Sequence, residues 1–453
     1  MPGTDPVPLR VAVQHFGCKL NQYEAEALRA GFQDQGYEIV PFVEQADVYV
    51  VNTCTVTGSG DADSRRAVRR ARRQQPDAMV VATGCYAQRR PDDLQDAGAD
   101  LVIGNGDKAK LVDTVVDHLP GDLTGKLPGQ PALPMFDPAK RPQTERFLQI
   151  DRVVEGGRTR GTLQIQDGCD EHCTYCIIPS VRGAGVSRPA DDVVAQARQM
   201  VESGYRELAL TGVHSGSYGY DQEDRRALVD LLRRLEHIDG LERIRLNSVE
   251  PGYVTDELIQ FAARSSHFCR HLHIPLQSGD DGILRRMGRR YSTAEYAERL
   301  HQIAAAIPGC ALGADVMVGF PGESDAQHAT TREFLDGLPL TYLHVFSYSM
   351  RDGTPAERLP GHTNPEIKTS RARDLINLGL AKRLAFHERQ IGLQVRVLTE
   401  EVRNDGLATG LTDNYLRVRY PAGPRTASNE FDSVTITHAR EDVLFGELVP
   451  RHE

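Results

Sequence analysis

Short apolar segments alternate with amphipathic helical patterns along most of this 453-residue chain, and this alternation limits its fold more than any other feature. In the first 120 residues the apolar segments are 9–13, 48–52, 79–83 and 101–103, and the helical patterns are 21–35, 63–75 and 108–118. Apolar strands separated by helices are typical of a parallel sheet that helices cover on both faces. The sequence therefore predicts an N-terminal parallel α/β domain over residues 1–121.

A second alternation follows residues 122–150, a stretch with several Pro and Gly residues that we interpret as a linker. Its predicted strands are 161–166, 207–211, 243–247, 271–274, 313–318 and 342–347, with helices at 191–203, 225–237, 255–265, 293–307 and 325–335 and a further helix from Pro365 to about 390. Six βα units predict a partial TIM-type barrel, (β/α)6, over residues 151–387, with its active groups on the loops at the carboxyl ends of the strands.

The remaining residues, 388–453, change to the strand period of two. Alternating segments at 394–399, 406–411, 416–420 and 433–439 are separated by turns, and no helical pattern is visible. This pattern predicts a small all-β barrel at the C-terminus. The chain as a whole is expected to be a multidomain α/β protein.

Composition excludes several classes of protein. Apolar residues make up 40% and charged residues 26% of the chain, which argues against wholesale disorder. The net charge of −10 argues against general coating of nucleic acid but leaves room for a local basic groove. We find no apolar run of membrane-spanning length and no secretory leader pattern, so we expect a cytoplasmic protein without a membrane partner. Eight cysteines are too few for a disulfide scaffold and are more often metal ligands or catalytic groups in a reducing compartment.

The strongest chemical signal is the triplet Cys169-x-x-x-Cys173-x-x-Cys176, directly after a predicted strand. Three closely spaced thiolates can bind three irons of a 4Fe–4S cluster, whereas ferredoxin clusters take four cysteines in other spacings. One iron is then left open, and the amine and carboxylate of S-adenosylmethionine can chelate it. The alternative is a zinc site, but zinc favours paired Cys-x-x-Cys or Cys/His ligands, and His172 is badly placed beside Cys173.

These residues resemble the cluster motif of the radical S-adenosylmethionine superfamily, in which an aromatic residue, here Tyr175, precedes the last cysteine. The resemblance implies that residues at strand ends hold the cofactor. The matching positions are Tyr175, Thr211, Gly212, Val213, Ser248, Glu250, Gln277, Asp315 and Gly319. For each glycine-rich segment alone, a tight turn without any ligand is the alternative interpretation.

Cys18, Cys54 and Cys85 each follow the carboxyl end of a predicted strand, so they are expected to meet at one edge of the first sheet. Three unrelated buried thiols are the alternative. The segments FGCKLNQYEAE, NTCTVTGSGDADSRR and TGCYAQ resemble the N-terminal domain of the radical methylthiotransferases. That resemblance implies that these three cysteines hold a second 4Fe–4S cluster that presents sulfur to the substrate. Cys269 and Cys310 flank predicted strands, and we expect them to be packed and inert.

Three branches of this family differ in the residues around the cysteines. GCKLN at 17–21, followed by NTCT at 52–55, resembles the branch acting on N6-threonylcarbamoyladenosine beside the tRNA anticodon. The alternatives are the branches acting on isopentenyladenosine, typically GCQMN, or on a ribosomal protein aspartate, typically GCPKN. His15, Phe16 and Ser347 depart from residues common in the family.

The resemblance implies replacement of a C2–H by C2–SCH3, initiated by a 5′-deoxyadenosyl radical. It also implies a low-potential electron donor such as flavodoxin or ferredoxin and a separate source of sulfur. A rival interpretation of another class is an RNA-binding iron–sulfur redox sensor, which would not cleave the cofactor.

Two regions are candidates for contact with the tRNA anticodon arm. The C-terminal segment resembles the TRAM RNA-binding barrel, and its Arg396, Arg403, Arg417 and Arg419 alternate with Tyr415 and Tyr420, a combination suited to phosphate contact and base stacking. Six arginines between 65 and 73 form a basic helix face. For both regions an ordinary solvated surface is the alternative.

Overall fold

The computed structural model describes residues 8–118, 136, 142, 147–150 and 159–450. Most of the predicted linker, 122–150, lies outside the described residues, and the domain boundaries at 121, 150 and 387 stay predictions. Three structural units are nevertheless distinct, since a parallel sheet, two further parallel half-sheets and a closed barrel follow one another along the chain.

The first unit is a five-stranded parallel sheet of order β2-β1-β3-β4-β5. Its strands are β1 (Arg10–His15), β2 (Glu38–Ile39), β3 (Val48–Thr53), β4 (Met79–Gly84) and β5 (Leu101–Ile103). Its helices are α1 (Lys19–Asp34), α2 (Gly58–Gln74), α3 (Cys85–Arg89), α4 (Pro91–Asp96) and α5 (Leu111–His118). The predicted parallel sheet is confirmed, although the two-residue strand β2 is too short to produce a sequence pattern.

Helices cover both faces of this sheet. All six residues of β3 are buried. Val48 and Val50 pack with Leu28 of α1 and Leu111 of α5, whereas Val51, on the other face, packs with residues of α2, α3 and α4. Because both faces of a central strand are covered, its sequence is continuously apolar. The polar side chains that could bind a ligand are therefore confined to the strand ends.

The second unit contains six parallel strands in two hydrogen-bonded groups, β10-β9-β6 and β11-β12-β13. The six parallel strands are β6 (Arg160–Gln164), β9 (Glu207–Thr211), β10 (Arg243–Leu246), β11 (His271–His273), β12 (Ala311–Val318) and β13 (Tyr342–Ser347). Two short strands, β7 (Gln166–Asp167) and β8 (Val186–Ser187), lie between β6 and β9 in the chain. Backbone hydrogen bonds from Ile244 N to His267 O (2.8 Å) and from Cys269 N to Ile244 O (2.9 Å) join the groups just before β11. The predicted (β/α)6 partial barrel is confirmed, with β7 and β8 added as a short antiparallel pair.

The helices of this unit alternate with its strands. They are α6 (Ile178–Arg182), α7 (Ala190–Glu202), α8 (Ala227–Leu235), α9 (Asp256–Arg264), α10 (Asp281–Arg286), α11 (Thr293–Ala306), α12 (Asp325–Gly337) and α13 (Pro365–Glu388). The side chain of Asn364 caps α13 by accepting a hydrogen bond from Glu366 N, as expected for a helix that begins with proline. Among the described helices, none is both long and apolar enough to cross a membrane.

The third unit is a closed barrel of order β14-β15-β16-β18-β17. Its strands are β14 (Gln394–Val402), β15 (Leu407–Thr412), β16 (Arg417–Pro421), β17 (Phe431–Ala439) and β18 (Leu444–Leu448). The predicted all-β barrel is confirmed, but β18, which closes it, was missing from the prediction. Gly446 interrupts the apolar pattern of β18, because a Cβ there would meet the carbonyl oxygen of Thr435 at 2.5 Å.

Leu444 tests the role of this unexpected strand. Its side chain is fully buried among Val397, Val418 and Val434. We expect Leu444→Ala to destabilise the barrel by about 2–5 kcal/mol, the usual cost of such a cavity. Hydrogen exchange measured by mass spectrometry should accelerate in 394–448 and stay unchanged in the first sheet. Val402→Ala, at an exposed position of the same barrel, is the control, and equal exchange in both variants would contradict the assignment.

Candidate active site

The central cysteine triad lies on the loop between β7 and α6. Gly168, with φ +69°, begins this loop, and a Cβ at this position would overlap the carbonyl oxygen of Ala184. Burial raises the pKa of Cys169 to about 11 and that of Cys176 to about 12, and the thiol of Cys173 adds to both shifts. The three thiols are therefore close enough to interact, and all three are only partly buried.

The N-terminal triad lies at the carboxyl edge of the first sheet, as predicted. Cys18 immediately precedes α1, Cys54 follows β3, and Cys85 begins α3 after β4. In a 2-1-3-4-5 sheet the connections leave β1 and β3 in opposite directions, and the crevice between them is the usual ligand site. Gly17, with φ +89°, lies against Cys54, since a Cβ there would meet its Sγ at 2.5 Å. Cys18 is exposed, whereas Cys54 and Cys85 are buried.

The spacing of the thiols bears on the kind of metal centre. Among the described residues, the only three His, Cys, Asp or Glu ligand atoms that all lie within 4.8 Å of one another belong to His273, Asp315 and His344. A zinc ion bound at about 2.3 Å would hold three sulfurs about 3.8 Å apart. Among the described residues neither cysteine triad meets this spacing, so neither forms a ready-made site for a single zinc ion.

Arg182 connects the two triads. It lies six residues after Cys176 and is almost fully buried. Its Nε donates to Cys85 Sγ (3.2 Å), and its Nη1 donates to Glu24 (2.9 Å) and Asp167 (3.1 Å). The side chain of Cys85 also packs against Ile177 and Val181 of the same segment. Since this segment begins directly after Cys176, the two triads lie on either side of one short, tightly packed piece of chain.

Arg289 has a similar place beside the central triad. Its Nη1 donates to Cys173 Sγ (3.3 Å), and its Nη2 pairs with the carboxylate of Glu250. Glu250 was predicted to contact the cofactor, so the structure brings this residue and the cysteine loop together. Sequence reasoning missed both Arg182 and Arg289, because no spacing rule distinguishes them among the many arginines of this chain.

The other predicted cofactor residues lie at strand ends around the loop. Thr211 is the last residue of β9. The next residue, Gly212, packs closely against Gln166, since a Cβ on Gly212 would meet the Gln166 side chain at 2.8 Å. Gln277 has φ +73° and a buried Oε1 without a hydrogen-bond partner among the described residues. Val213 and Ser248 follow β9 and β10, and both remain accessible to solvent.

Tyr175 belongs to the cysteine loop itself, between Cys173 and Cys176. Its ring contacts that of Phe320, the residue after Gly319, at a centroid distance of 6.5 Å. Asp315 is different, because it lies within β12 rather than at its end. His273 Nε2 and His344 Nδ1 lie 2.9 and 3.4 Å from its Oδ1, and these two partners lower the pKa of Asp315 in spite of its burial.

A cavity of about 220 Å³ lies between the partial barrel and the C-terminal barrel, lined in part by Arg160, Tyr342, His344 and Tyr415. The ammonium of Lys19 lies 5.6 Å from the ring centroid of Tyr415. Burial alone would raise the pKa of Tyr415, but Lys19, Arg160 and Arg245 together lower it. The wall that Tyr415 forms in this cavity therefore adjoins three cationic side chains.

The two predicted RNA surfaces need correction. Tyr420 is only 1% exposed and its hydroxyl bonds to Thr399 and Asp432, so it cannot stack on RNA. Tyr415 faces the partial barrel rather than the outer surface. On the basic helix α2, the guanidinium of Arg72 donates hydrogen bonds to the carbonyl oxygens of Gly98 and Ala78. Four other arginines of this helix are exposed: Arg66, Arg69, Arg70 and Arg73.

Comparison with known proteins agrees with this geometry. The family model described as Uncharacterized protein family UPF0004 matches residues 10–104, and that of the Radical SAM superfamily matches residues 163–335. The solved structure of TsrM, a radical S-adenosylmethionine methyltransferase from Kitasatospora setae with cobalamin and a [4Fe-4S] cluster bound, has a TM-score of 0.54 at 18% identity over 78% of this chain and 77% of its own. The fold and the cysteine loop thus define a radical S-adenosylmethionine enzyme.

Curated relatives narrow this class. The threonylcarbamoyladenosine tRNA methylthiotransferase MtaB of Bacillus subtilis (strain 168) is 39% identical over 90% of this chain and 89% of its own length. The protein of the same name from Aquifex aeolicus (strain VF5) is 36% identical over 91% of this chain and 96% of its own. The chain belongs to the radical S-adenosylmethionine methylthiotransferase family.

The buried ion network of Arg182 predicts a pH-dependent stability. Burial alone would raise the pKa of Glu24, but Arg182 and Lys108 lower it to about 2. Relative to an ordinary Glu near 4.3, this shift corresponds to about 3 kcal/mol. Because the folded-state pKa is lowered, the stabilisation is complete above about pH 4.5 and is lost as the pH falls toward 2.

Glu24→Gln should therefore lower the melting temperature, followed by circular dichroism, clearly at pH 7 and much less near pH 2.5. Glu202→Gln, at an exposed position of α7, is the control and should have little effect at either pH. A difference between Glu24→Gln and the unmodified protein that stays constant over this pH range would refute the assignment.

Proposed function

We propose that this enzyme replaces the C2 hydrogen of N6-threonylcarbamoyladenosine, at position 37 of tRNA, by a methylthio group. The observation that carries the proposal is the packing of Cys85 against the segment that follows Cys176, with Arg182 donating to the Cys85 thiol. A sulfur carried by the N-terminal triad is then next to the chemistry of the central triad. The substrate is supported by the names of the two relatives and by GCKLN at 17–21.

In this proposal Cys169, Cys173 and Cys176 hold one 4Fe–4S cluster, and Cys18, Cys54 and Cys85 hold the second. S-adenosylmethionine would be held beside the first cluster by Tyr175, by the strand-end residues Thr211, Gly212, Val213, Ser248, Glu250 and Gln277, and by the segment 315–319. When bound, these groups supply the one-electron chemistry that an unactivated aromatic C–H bond requires. The orphaned Oε1 of Gln277 fits this assignment, since a buried acceptor without a partner is costly unless a ligand satisfies it.

Each cysteine triad has an arginine that favours the thiolate form of one of its cysteines. Arg182 and Arg289 each donate a hydrogen bond to one cysteine sulfur of a different triad. A guanidinium stays charged at all physiological pH values, so neither arginine can return a proton to a ligand thiolate. Both side chains are held by carboxylates, Glu24 and Asp167 for Arg182 and Glu250 for Arg289, which keeps each charge directed at its sulfur.

The proposed partners are the tRNA anticodon arm, a low-potential electron donor such as flavodoxin or ferredoxin, and a sulfur source, in the cytoplasm. Exposed Arg66, Arg69, Arg70 and Arg73 of α2 follow the Cys54 loop directly and support contact with tRNA phosphates there. The anticodon loop is single-stranded, so its base can enter a pocket at little cost.

Mass spectrometry of tRNA nucleosides from cells with and without the gene tests the substrate. Loss of 2-methylthio-N6-threonylcarbamoyladenosine alone is expected. Loss of the methylthiolated isopentenyladenosine, or of a modified ribosomal aspartate, would instead assign the chain to one of the alternative substrates. Failure of the reduced, purified protein to cleave S-adenosylmethionine would favour the redox-sensor interpretation.

Replacing Cys169, Cys173 and Cys176 by Ala should reduce the reconstituted iron from about eight atoms to about half, because each triad is assigned one four-iron cluster. Formation of 5′-deoxyadenosine from S-adenosylmethionine should be abolished. Iron analysis and chromatography of the small-molecule products give both values. Cys310→Ala, a buried cysteine outside both triads, is the control and should keep full iron. Full iron in the triple variant would rule out the central cluster assignment.

Replacing Cys18, Cys54 and Cys85 by Ala should also halve the iron, yet with a different functional result. Cleavage of S-adenosylmethionine should persist, since the strand-end residues assigned to the cofactor belong to the second unit. Methylthiolated nucleoside should be absent from tRNA incubated with this variant. Normal thiolated product would contradict a sulfur-delivery role for the N-terminal triad.

A further inference from the structure

Lys19 belongs to the first unit but reaches into the other two. It directly follows Cys18 and begins α1. Its Nζ donates to Asn247 Oδ1 (2.8 Å) just beyond the carboxyl end of β10. The same ammonium lies 5.6 Å from the ring centroid of Tyr415 in the C-terminal barrel. Despite these contacts Lys19 remains exposed to solvent, so it lines open space between the three units rather than a packed core.

Lys19 differs from its cationic neighbours in having no carboxylate. Arg160 and Arg245 also lie near the ring of Tyr415, but Arg160 pairs with Glu400 and Arg245 with Glu207. Among the described residues, no carboxylate oxygen lies within 4.0 Å of the Lys19 ammonium. Its positive charge is therefore available to an anionic ligand that enters this space.

The adjoining walls are polar. Rings of Tyr415, His271, Tyr342 and His344 follow one another with centroid distances of 4.7, 5.9 and 5.1 Å. His344 lies on the same face of β13 as Tyr342, and its side chain is 60% exposed. The buried Nδ2 of Asn247 has no hydrogen-bond partner among the described residues. A hydrocarbon substituent placed here would leave Asn247 Nδ2 unpaired, which is costly.

The proposed substrate has the complementary chemistry. Its N6 substituent ends in a threonine, with one carboxylate and one hydroxyl. The threonylcarbamoyl group forms a urea with N6, and the N–H on the threonine side of this urea can close a six-membered hydrogen-bonded ring onto N1, which lies between C6 and C2. The threonine then lies on the same edge of the base as the reacting C2. An ammonium next to a cysteine of the sulfur-carrying triad is thus in the right place to bind that carboxylate.

We infer that Lys19 is a specificity-determining residue that binds the carboxylate of the N6-threonylcarbamoyl group, with Asn247 as the positioning residue that holds its ammonium. This inference rests on the proposed function and extends it by naming the group that selects the substrate. A charge-assisted hydrogen bond in a partly enclosed site is sufficient to change affinity by about ten- to a hundredfold.

Binding of two anticodon stem-loop RNAs to the reconstituted protein, measured by fluorescence anisotropy, tests the inference without requiring turnover. One RNA carries N6-threonylcarbamoyladenosine, and the other carries its methyl ester, which lacks the negative charge. The unmodified protein should prefer the acid by at least about tenfold. Lys19→Gln should abolish this preference by weakening binding of the acid alone, and Lys19→Arg should retain most of it.

Lys110→Gln is the matched control, because it removes an exposed lysine that pairs with Asp107 outside this space. It should weaken binding of both RNAs equally or not at all. If Lys19→Gln loses iron, Asn247→Ala replaces it in the comparison, and it should reduce the preference severalfold.

Three outcomes distinguish a failure of the inference about Lys19 from a failure of the proposed function. A preference that survives in Lys19→Gln, or in Asn247→Ala where that variant is used, overturns the inference while the proposed function stands. An unmodified protein that methylthiolates the acid but binds acid and ester equally also overturns it. An unmodified protein that produces no methylthio-N6-threonylcarbamoyladenosine overturns the proposed function itself.

Discussion

The buried guanidinium of Arg182 is the interaction on which the relation between the two cysteine triads depends. A fully buried cation is tolerated only where carboxylates and further acceptors surround it. Here Glu24 and Asn21 come from α1 of the first unit, Asp167 comes from the partial barrel, and Cys85 Sγ is the remaining acceptor. Moving either unit would leave a buried charge without partners, so the network holds one sheet edge against the other.

The two sheets meet through the same kind of edge. Each triad lies at the carboxyl ends of parallel strands, where loops converge and polar side chains lie outside the apolar layers. Both edges are lined by arginines that touch sulfur, Arg182 for one and Arg289 for the other. The site therefore consists of two sets of cysteines, each at the carboxyl ends of parallel strands. The short segment from Cys176 to Arg182 joins them.

The fold was predictable to a large extent because its signals are local. Strand β3 is apolar on both faces because both faces are covered, and α13 begins where Asn364 and Pro365 place its cap. The sequence did not reveal β18, because close approach to β17 requires Gly446, a residue that in isolation indicates a turn. The two-residue strand β2 is likewise defined only by its pairing with β1.

For the site, the sequence alone determined the two sets of three cysteines, since their spacing and their positions after strands are local properties. Only the tertiary structure decided which charges surround them. Arg182, Arg289 and Lys19 come from three different segments, and each meets partners more than 100 residues away: Glu24, Cys173 and Asn247. The periodicity of apolar residues along the chain indicates which side chains are buried. The partner of each side chain depends instead on how the two sheets pack against each other. That packing is a long-range property, which the local pattern of a chain cannot encode.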